Sequence, residues 1–376
     1  MWRLVIAAVL LLLSLLTVFK APTNFFWLVA VAVTEFPWVS VLISLVFFIF
    51  CFNAQSYKIA TLIVTGIAFV MFSLPMIEAY IRGKNLRLEL AVVFPSKEKP
   101  NELGEPFSFF KQITGVGVKE VNPSILTYKT LPERKLNIDF YSGGSKKAPC
   151  IIIIHGGSWS SGDSKQLPAL NSYLASRGYH VAAMNYRLAP KYRFPAPIED
   201  TKDVVKYLTQ HADELNIDST NFVLLGRSAG AQIALVAAYT FNDPNIKGVV
   251  SVYGPADMAW GARIKSNKLV IDVDKVFSEY LGGLIDKVPE VYEQSTARNF
   301  VTPKSTPTLM IHGPNDALVS YYHSVRLSET LKKNNVPYYF LNLPWATHGC
   351  DYNINGPSGQ LSTFTIERFI NSVTKQ

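Results

Sequence analysis

Residues 1–90 are apolar with few polar interruptions, and beyond them short apolar runs alternate with amphipathic stretches. The run 2–19 is headed by Arg3 and closed by Lys20, and at 1.5 Å per residue it is long enough for a hydrocarbon core of roughly 30 Å. A second run, 25–52, is interrupted by Thr34-Glu35-Phe36-Pro37, and a third covers 59–81 with Pro75 and Glu78 near its end. The pattern predicts three transmembrane helices, over about 4–19, 38–52 and 59–81. Because no Ala-x-Ala type cleavage site follows the first run and more apolar runs come directly after it, a signal peptide is the poorer reading. A packed water-soluble helical domain would show polar faces at a 3.6-residue period, and these runs do not.

Residues 95–104, rich in Lys, Glu and Pro, read as a loop within a linker over 91–119. Strand-like alternation follows at 121–130 and 135–141, and 150–154 is a short, wholly apolar run suited to a buried strand. Helices are then predicted at 167–177, 198–215, 229–239, 321–334 and 361–374. Strands are predicted at 179–185, 222–225, 248–253, 308–312 and 338–343. Strands alternating with helices imply an α/β fold, a mostly parallel sheet covered on both faces. In such sheets chemistry collects at the carboxyl ends of the strands. The stretch 255–303 exceeds a simple crossover and is expected to form a cap-like insertion, with a helix over 275–281, inside a catalytic domain spanning 120–376.

Charge adds a constraint on partners. The chain carries 36 Lys and Arg against 28 Asp and Glu. Six bases and three acids fall within 1–90, which leaves a surplus of five bases spread over the rest. With no basic run or aromatic-basic stripe, that surplus argues for solubility or attraction to an anionic membrane rather than for nucleic acid. With three spans, Arg3 and Lys58 lie on one side and Lys20, Arg82, Lys84 and Arg87 on the other, and the positive-inside tendency favours a cytoplasmic catalytic domain. Cys51, Cys150 and Cys350 form neither a metal-binding pair nor a disulfide framework, and Cys350 reads as a buried small apolar residue.

The segment 222–230 runs from an apolar strand through Gly226-Arg227-Ser228-Ala229-Gly230 into an apolar helix. Acyl transfer needs a serine exposed at such a turn, where small neighbours relieve crowding and a helix amino terminus favours negative charge. His155-Gly156-Gly157-Ser158-Trp159 follows the buried strand directly, and its amides, with that of Ala229, are candidates for an oxyanion hole: Gly156, Gly157, Ser158 and Ala229. A nucleophilic serine also needs an acid and then a base in the order Ser, Asp, His. His348, in a loop after the last predicted strand, is the candidate base, and Asp316, in the loop after the preceding strand, the candidate acid. His312 at a strand end and His323 in a helix read as structural. Glu199, Asp200 and Asp203 read as first-turn acids of a helix, and Arg187 as an architectural donor to loop carbonyls.

Taken together, these elements resemble the α/β-hydrolase family over about 120–376. His155-Gly156-Gly157-x-Trp159, Asn185-Tyr186-Arg187-Leu188-Ala189-Pro190 and Ser228-Ala229-Gly230 look like the carboxylesterases related to hormone-sensitive lipase. They are still more similar to the bacterial feruloyl-esterase-like, kynurenine-formamidase and isoprenylcysteine-methylesterase branch. Ser158 departs from the hormone-sensitive-lipase pattern, where a third glycine stands, and leaves open which of the three loop amides face the oxyanion. The resemblance implies a serine esterase that cleaves carboxylic esters through an acyl-enzyme, with no metal or organic cofactor, and the apolar front adds the expectation of a membrane anchor and of a small or lipophilic ester as substrate. Two other readings are an inactive hydrolase-fold receptor or scaffold, and an acyltransferase using the same acyl-enzyme.

Overall fold

The computed structural model describes residues 1–53, 56–95 and 104–374; the 96–103 part of the expected linker lies outside them. The strands are β1 (Ser124–Thr130), β2 (Lys135–Tyr141), β3 (Ala148–Ile154), β4 (His180–Met184), β5 (Ile217–Arg227), β6 (Ile246–Val252), β7 (Thr308–His312) and β8 (Tyr338–Asn342). They form one sheet in the order β1-β2-β4-β3-β5-β6-β7-β8. The β1–β2 and β2–β4 pairs are antiparallel, and all later pairs are parallel. Residues of β3 alternate between two apolar clusters, Ile152 and Ile154 on one face and Ile151 and Ile153 on the other. A strand covered on both faces has to read as an unbroken apolar run.

Register brings the candidate loops to one edge. Ile154 pairs with Gly226, Arg227 with Val252, Val252 with Ile311, and His312 with Asn342. The segments that continue from β3, β5, β7 and β8, which carry His155, Ser228, Asp316 and His348, therefore leave the sheet side by side. Several element boundaries differ from the sequence expectation; the helix expected over 198–215, for example, is Ala196–Gln210. β5 starts at Ile217 rather than 222, because the polar stretch Asp218–Asn221 reads as a turn yet continues the strand. The last helix is Pro357–Val373 and opens on its proline, a residue tolerated in a first helical turn.

The apolar front folds into helices Trp2–Ser14, Asn24–Glu35, Pro37–Cys51 and Lys58–Val93. Among the described residues one helix, Lys58–Val93, is long and apolar enough to cross a membrane, and the pair Asn24–Glu35 and Pro37–Cys51 is bent by 84°. Of the three expected spans, 59–81 falls inside the long helix, 38–52 is the second limb of the bent pair, and 4–19 gives way to a 3-10 turn at Leu15–Thr17. The bend sits where Pro37 lacks an N–H and can only begin a new helix.

The long helix has 36 residues, so at 1.5 Å each it is about 54 Å long, well beyond a hydrocarbon core of roughly 30 Å. Its first half exposes Ile59 (75%), Ile63 (57%) and Val70 (56%). Its second half buries Ala79, Leu86 and Leu90 in the cluster that includes Leu361 and Phe369 of the last helix.

A polar bolt fixes the bent pair to the sheet domain. Buried Glu35 accepts the N–H of Ser358 at 3.2 Å through its carboxylate and the Asn353 side-chain amide at 2.8 Å through its carbonyl. The Glu35 side chain thus sits at the amino terminus of the last helix, where it accepts one of the N–H groups that the helix itself leaves unpaired. Glu35→Ala is expected to cost about 1–3 kcal/mol and lower the thermal midpoint of the full chain in detergent by a few degrees. An unchanged midpoint would contradict this role.

Candidate active site

Ser228 stands between β5 and the helix Ala229–Thr240 with φ 52° and ψ −120°, a strained conformation for a residue other than glycine. The flanking glycines are obligatory there. A Cβ at Gly226 would lie 2.1 Å from the Gly230 carbonyl oxygen, and one at Gly230 would lie 2.2 Å from that of Ile154. The turn lifts the hydroxyl into the site, and Ser228 Oγ lies 3.0 Å from His348 Nε2.

The other ring nitrogen of His348, Nδ1, lies 2.7 Å from Asp316 Oδ2. Asp316 is buried, and its Oδ1 accepts the N–H groups of Leu318 and Val319 at 2.8 Å each. Its Oδ2 also meets His312 Nε2 at 3.1 Å, while His312 Nδ1 lies 2.8 Å from Ser324 Oγ. Burial alone would push the Asp316 carboxyl up. The facing imidazoles of His348 and His312 outweigh it and hold the group well below the usual carboxylate range. An ionised Asp316 accepts only, so His348 carries its proton on Nδ1 and turns the Nε2 lone pair toward Ser228. Ser228, Asp316 and His348 are thereby in bonding contact in the order expected from the sequence.

The oxyanion candidates divide. The Gly156 N–H donates to Gln166 Oε1 at 2.8 Å, so that amide is already occupied and Gly156 is corrected from donor to spacer. Its closeness to Ser228, 3.2 Å from a built Cβ to the serine Cβ, keeps the position free of a side chain. The N–H groups of Gly157, Ser158 and Ala229 have no partner among the described residues. Gly157 (φ 118°), Ser158 (φ 53°) and Trp159 (φ 60°) form a left-handed run. Ser158 and Ala229 line a cavity of about 270 Å³ that also reaches Ser228 and His348. Its apolar wall comes from the 255–303 insertion, with Ile271, Val276 and Phe277. Trp159 clips that insertion down, stacking on Tyr280 at 4.4 Å and donating to Gln232 at 3.0 Å.

Around these three residues, some side chains do more than the sequence suggested and others were not singled out at all. His312, read as structural, shares the carboxylate with His348. Arg227, buried beside the serine, pairs with Asp351, whose other oxygen accepts the Tyr253 hydroxyl at 2.5 Å, and the Tyr253 ring lies 4.4 Å from the His348 ring. A charged residue ending an apolar strand demands a partner, but spacing does not say which acid supplies it. Trp27, read as part of an apolar run, donates its indole N–H to the His348 carbonyl at 2.8 Å and packs edge-on against the imidazole. His323 lines the cavity as a neutral acceptor, pushed down to about 3 by burial and by neighbouring His312. Arg187 donates to the Ala196 carbonyl as expected and also pairs with buried Asp200, which Lys129 bridges too. Cys350 is buried, and burial pushes its thiol up.

The BD-FAE family model matches residues 136–331, more than half of the chain. The chain belongs to the BD-FAE family. Among curated relatives, this BD-FAE member is 29% identical over 245 residues to Esterase LipC of Mycobacterium tuberculosis, covering 61% of this chain and 59% of the relative. It is 25% identical over 244 residues to the same organism's probable carboxylic ester hydrolase LipM, covering 60% and 54%. The match thus spans between about half and three-fifths of the length of these curated relatives. Among solved structures, a bacterial heroin esterase superposes with TM-score 0.60 at 18% identity, covering 69% of this chain and 87% of that one. A carbohydrate esterase from gut microbiota gives 0.55 at 22%, covering 67% and 99%. These likenesses show that this BD-FAE chain has the α/β-hydrolase fold.

Because the native Asp316 pKa is depressed, the stability it contributes is present above the unfolded carboxylate value of about 3.9 and is lost as pH falls toward the native value. The difference in thermal midpoint between the wild type and Asp316→Asn is therefore expected to be widest above about pH 5 and to narrow below about pH 4. A difference that stays flat with pH contradicts the assignment of an ionised, paired Asp316.

Proposed function

We propose that this chain is a membrane-anchored serine hydrolase that cleaves carboxylic esters through an acyl-enzyme on Ser228. The single observation that carries the reading is the relay from Ser228 Oγ to His348 Nε2 (3.0 Å) and from His348 Nδ1 to Asp316 Oδ2 (2.7 Å) at the floor of an apolar cavity. Such contact at an open cavity has no use in an inactive receptor or scaffold. The names of the curated relatives, esterases and a carboxylic ester hydrolase, support the same chemistry.

In the first half-reaction His348 takes the Ser228 proton as Oγ bonds to the ester carbonyl carbon, and the carbonyl π pair moves onto oxygen. The free N–H groups of Ser158, Gly157 and Ala229 are the donors for that oxyanion. The tetrahedral adduct collapses, the bond to the alcohol oxygen breaks, and His348 gives its proton to the departing alkoxide. Water then repeats the sequence on the acyl-enzyme, releases the carboxylic acid and returns the proton to Ser228. Asp316 stays ionised and steadies the imidazolium.

The anchor is the long helix Lys58–Val93 with the bent apolar pair beside it, whose outward faces are apolar. Lys58 precedes the candidate span, and Arg82, Lys84 and Arg87 follow it on the side of the sheet domain. That asymmetry supports a cytoplasmic catalytic domain.

Ser228→Ala is expected to leave the thermal midpoint unchanged and to lower turnover of a short-chain aryl ester by at least about three orders of magnitude; wild-type turnover would refute the assignment. Trp27 acts through His348 as a positioning residue. Trp27→Phe is expected to lower kcat on the same ester by about tenfold with KM and the thermal midpoint preserved, in line with the sensitivity of rate to small misplacements. A change confined to KM or to stability would remove Trp27 from that role.

A further inference from the structure

The connection between the first two helices, residues 17–24, forms part of the cavity wall, through Lys20. It is bonded to the elements around the mouth. The Asn24 N–H donates to the Leu269 carbonyl at 2.9 Å, Asn267 Nδ2 donates to the Pro22 carbonyl at 2.9 Å, and Asn315 Nδ2, next to Asp316, donates to the Thr17 carbonyl at 3.3 Å. The apolar helices thus share a wall with the catalytic cavity.

The surroundings of that wall have the composition of a membrane interface. Phe19 (60% exposed), Phe25 (68%) and Leu269 (71%) project to the outside around the connection, in direct continuation of the apolar outer faces of the helices. Exposed Phe and Leu side chains beside lysines are the composition of segments that lie in the headgroup and acyl boundary. Two exposed lysines, Lys20 and Lys265, line the cavity from the connection and from the insertion. The one carboxylate among the lining residues, Asp316, is committed to two imidazoles. The mouth is therefore cationic, flanked by apolar rings, and opens on an apolar interior. A cavity of 150 Å³ holds a six-carbon ring, so by proportion the observed volume of about 270 Å³, which includes the lysine-lined mouth, sets an upper bound of roughly ten carbons on the acyl group.

Resting on the esterase reading above, we propose that the substrates are acyl esters of anionic membrane lipids. The ester is presented from the bilayer surface at the 17–24 connection, with the acyl chain in the cavity and the headgroup charge on Lys20 and Lys265. An interfacial position spares the lipid a full transfer into water, and cations at the surface attract anionic headgroups at short range.

The test uses the full chain reconstituted in phosphatidylcholine vesicles. Dioctanoyl phosphatidylglycerol and dioctanoyl phosphatidylcholine are compared as substrates, with a water-soluble aryl acetate as internal reference. The expected result is that the anionic lipid is cleaved about tenfold faster than the zwitterionic one. That preference should shrink as salt is raised from 20 mM to 500 mM. It should collapse in the double variant Lys20→Gln, Lys265→Gln and survive in Lys20→Arg, Lys265→Arg. The salt series needs no variant and decides the matter if the substitutions fail to fold. Aryl-ester turnover without lipid cleavage, equal cleavage of both lipids, or a preference indifferent to salt overturns the proposal and leaves the esterase reading standing. A wild type inactive on all three substrates overturns both.

Discussion

The structure depends most on what holds the segment between β8 and the last helix, because that segment carries His348 and has no ladder of its own to fix it. From the sheet side, Arg227 at the end of β5 and Tyr253 after β6 converge on Asp351, three residues beyond the imidazole. From the other side, Trp27 holds the His348 carbonyl, and Glu35 meets Asn353 and Ser358. A buried charge left without its partner is far more costly than the pair is worth. The two sets of contacts therefore define one position for the loop rather than a range of them.

That constraint links the apolar front of the chain to the chemistry at the back of the sheet. Ser228 is held in a strained turn, and Asp316 is held ionised in a dry setting by two imidazoles and two backbone N–H groups. Each is pre-set where it leaves the sheet, so of the three contacting side chains the one whose place depends on the long irregular segment after β8 is His348. The helices that pack against that loop present apolar faces outward, and on the reading proposed above the same elements serve as an anchor and a support of the site.

Much of this was legible in the sequence, for identifiable reasons. The strand periods of 135–141 and 308–312 coincide with β2 and β7, because buried strands leave an unambiguous apolar pattern. The turn at Ser228 was legible because a strained turn demands glycine on both sides, and the places of Asp316 and His348 because each follows its own strand. What spacing could not convey was pairing over long separations: Arg227 with Asp351, His312 with Asp316, and Trp27 with the His348 carbonyl. Nor does spacing reveal that the Gly156 amide is occupied by Gln166. The expectation of three separate crossings treated apolar length as sufficient. It passed over the turn after the first helix, and it did not anticipate how sharply Pro37 bends the second run.

On the proposed reading Ser228, and no other residue, is the nucleophile activated by His348 in the folded chain. Treating membranes that contain the full chain with a fluorophosphonate, then digesting and mapping the adduct by mass spectrometry, tests this directly. The account predicts a single stoichiometric adduct on the peptide containing Ser228, absent after heat denaturation. An adduct on another residue, or none on natively folded protein, would contradict it.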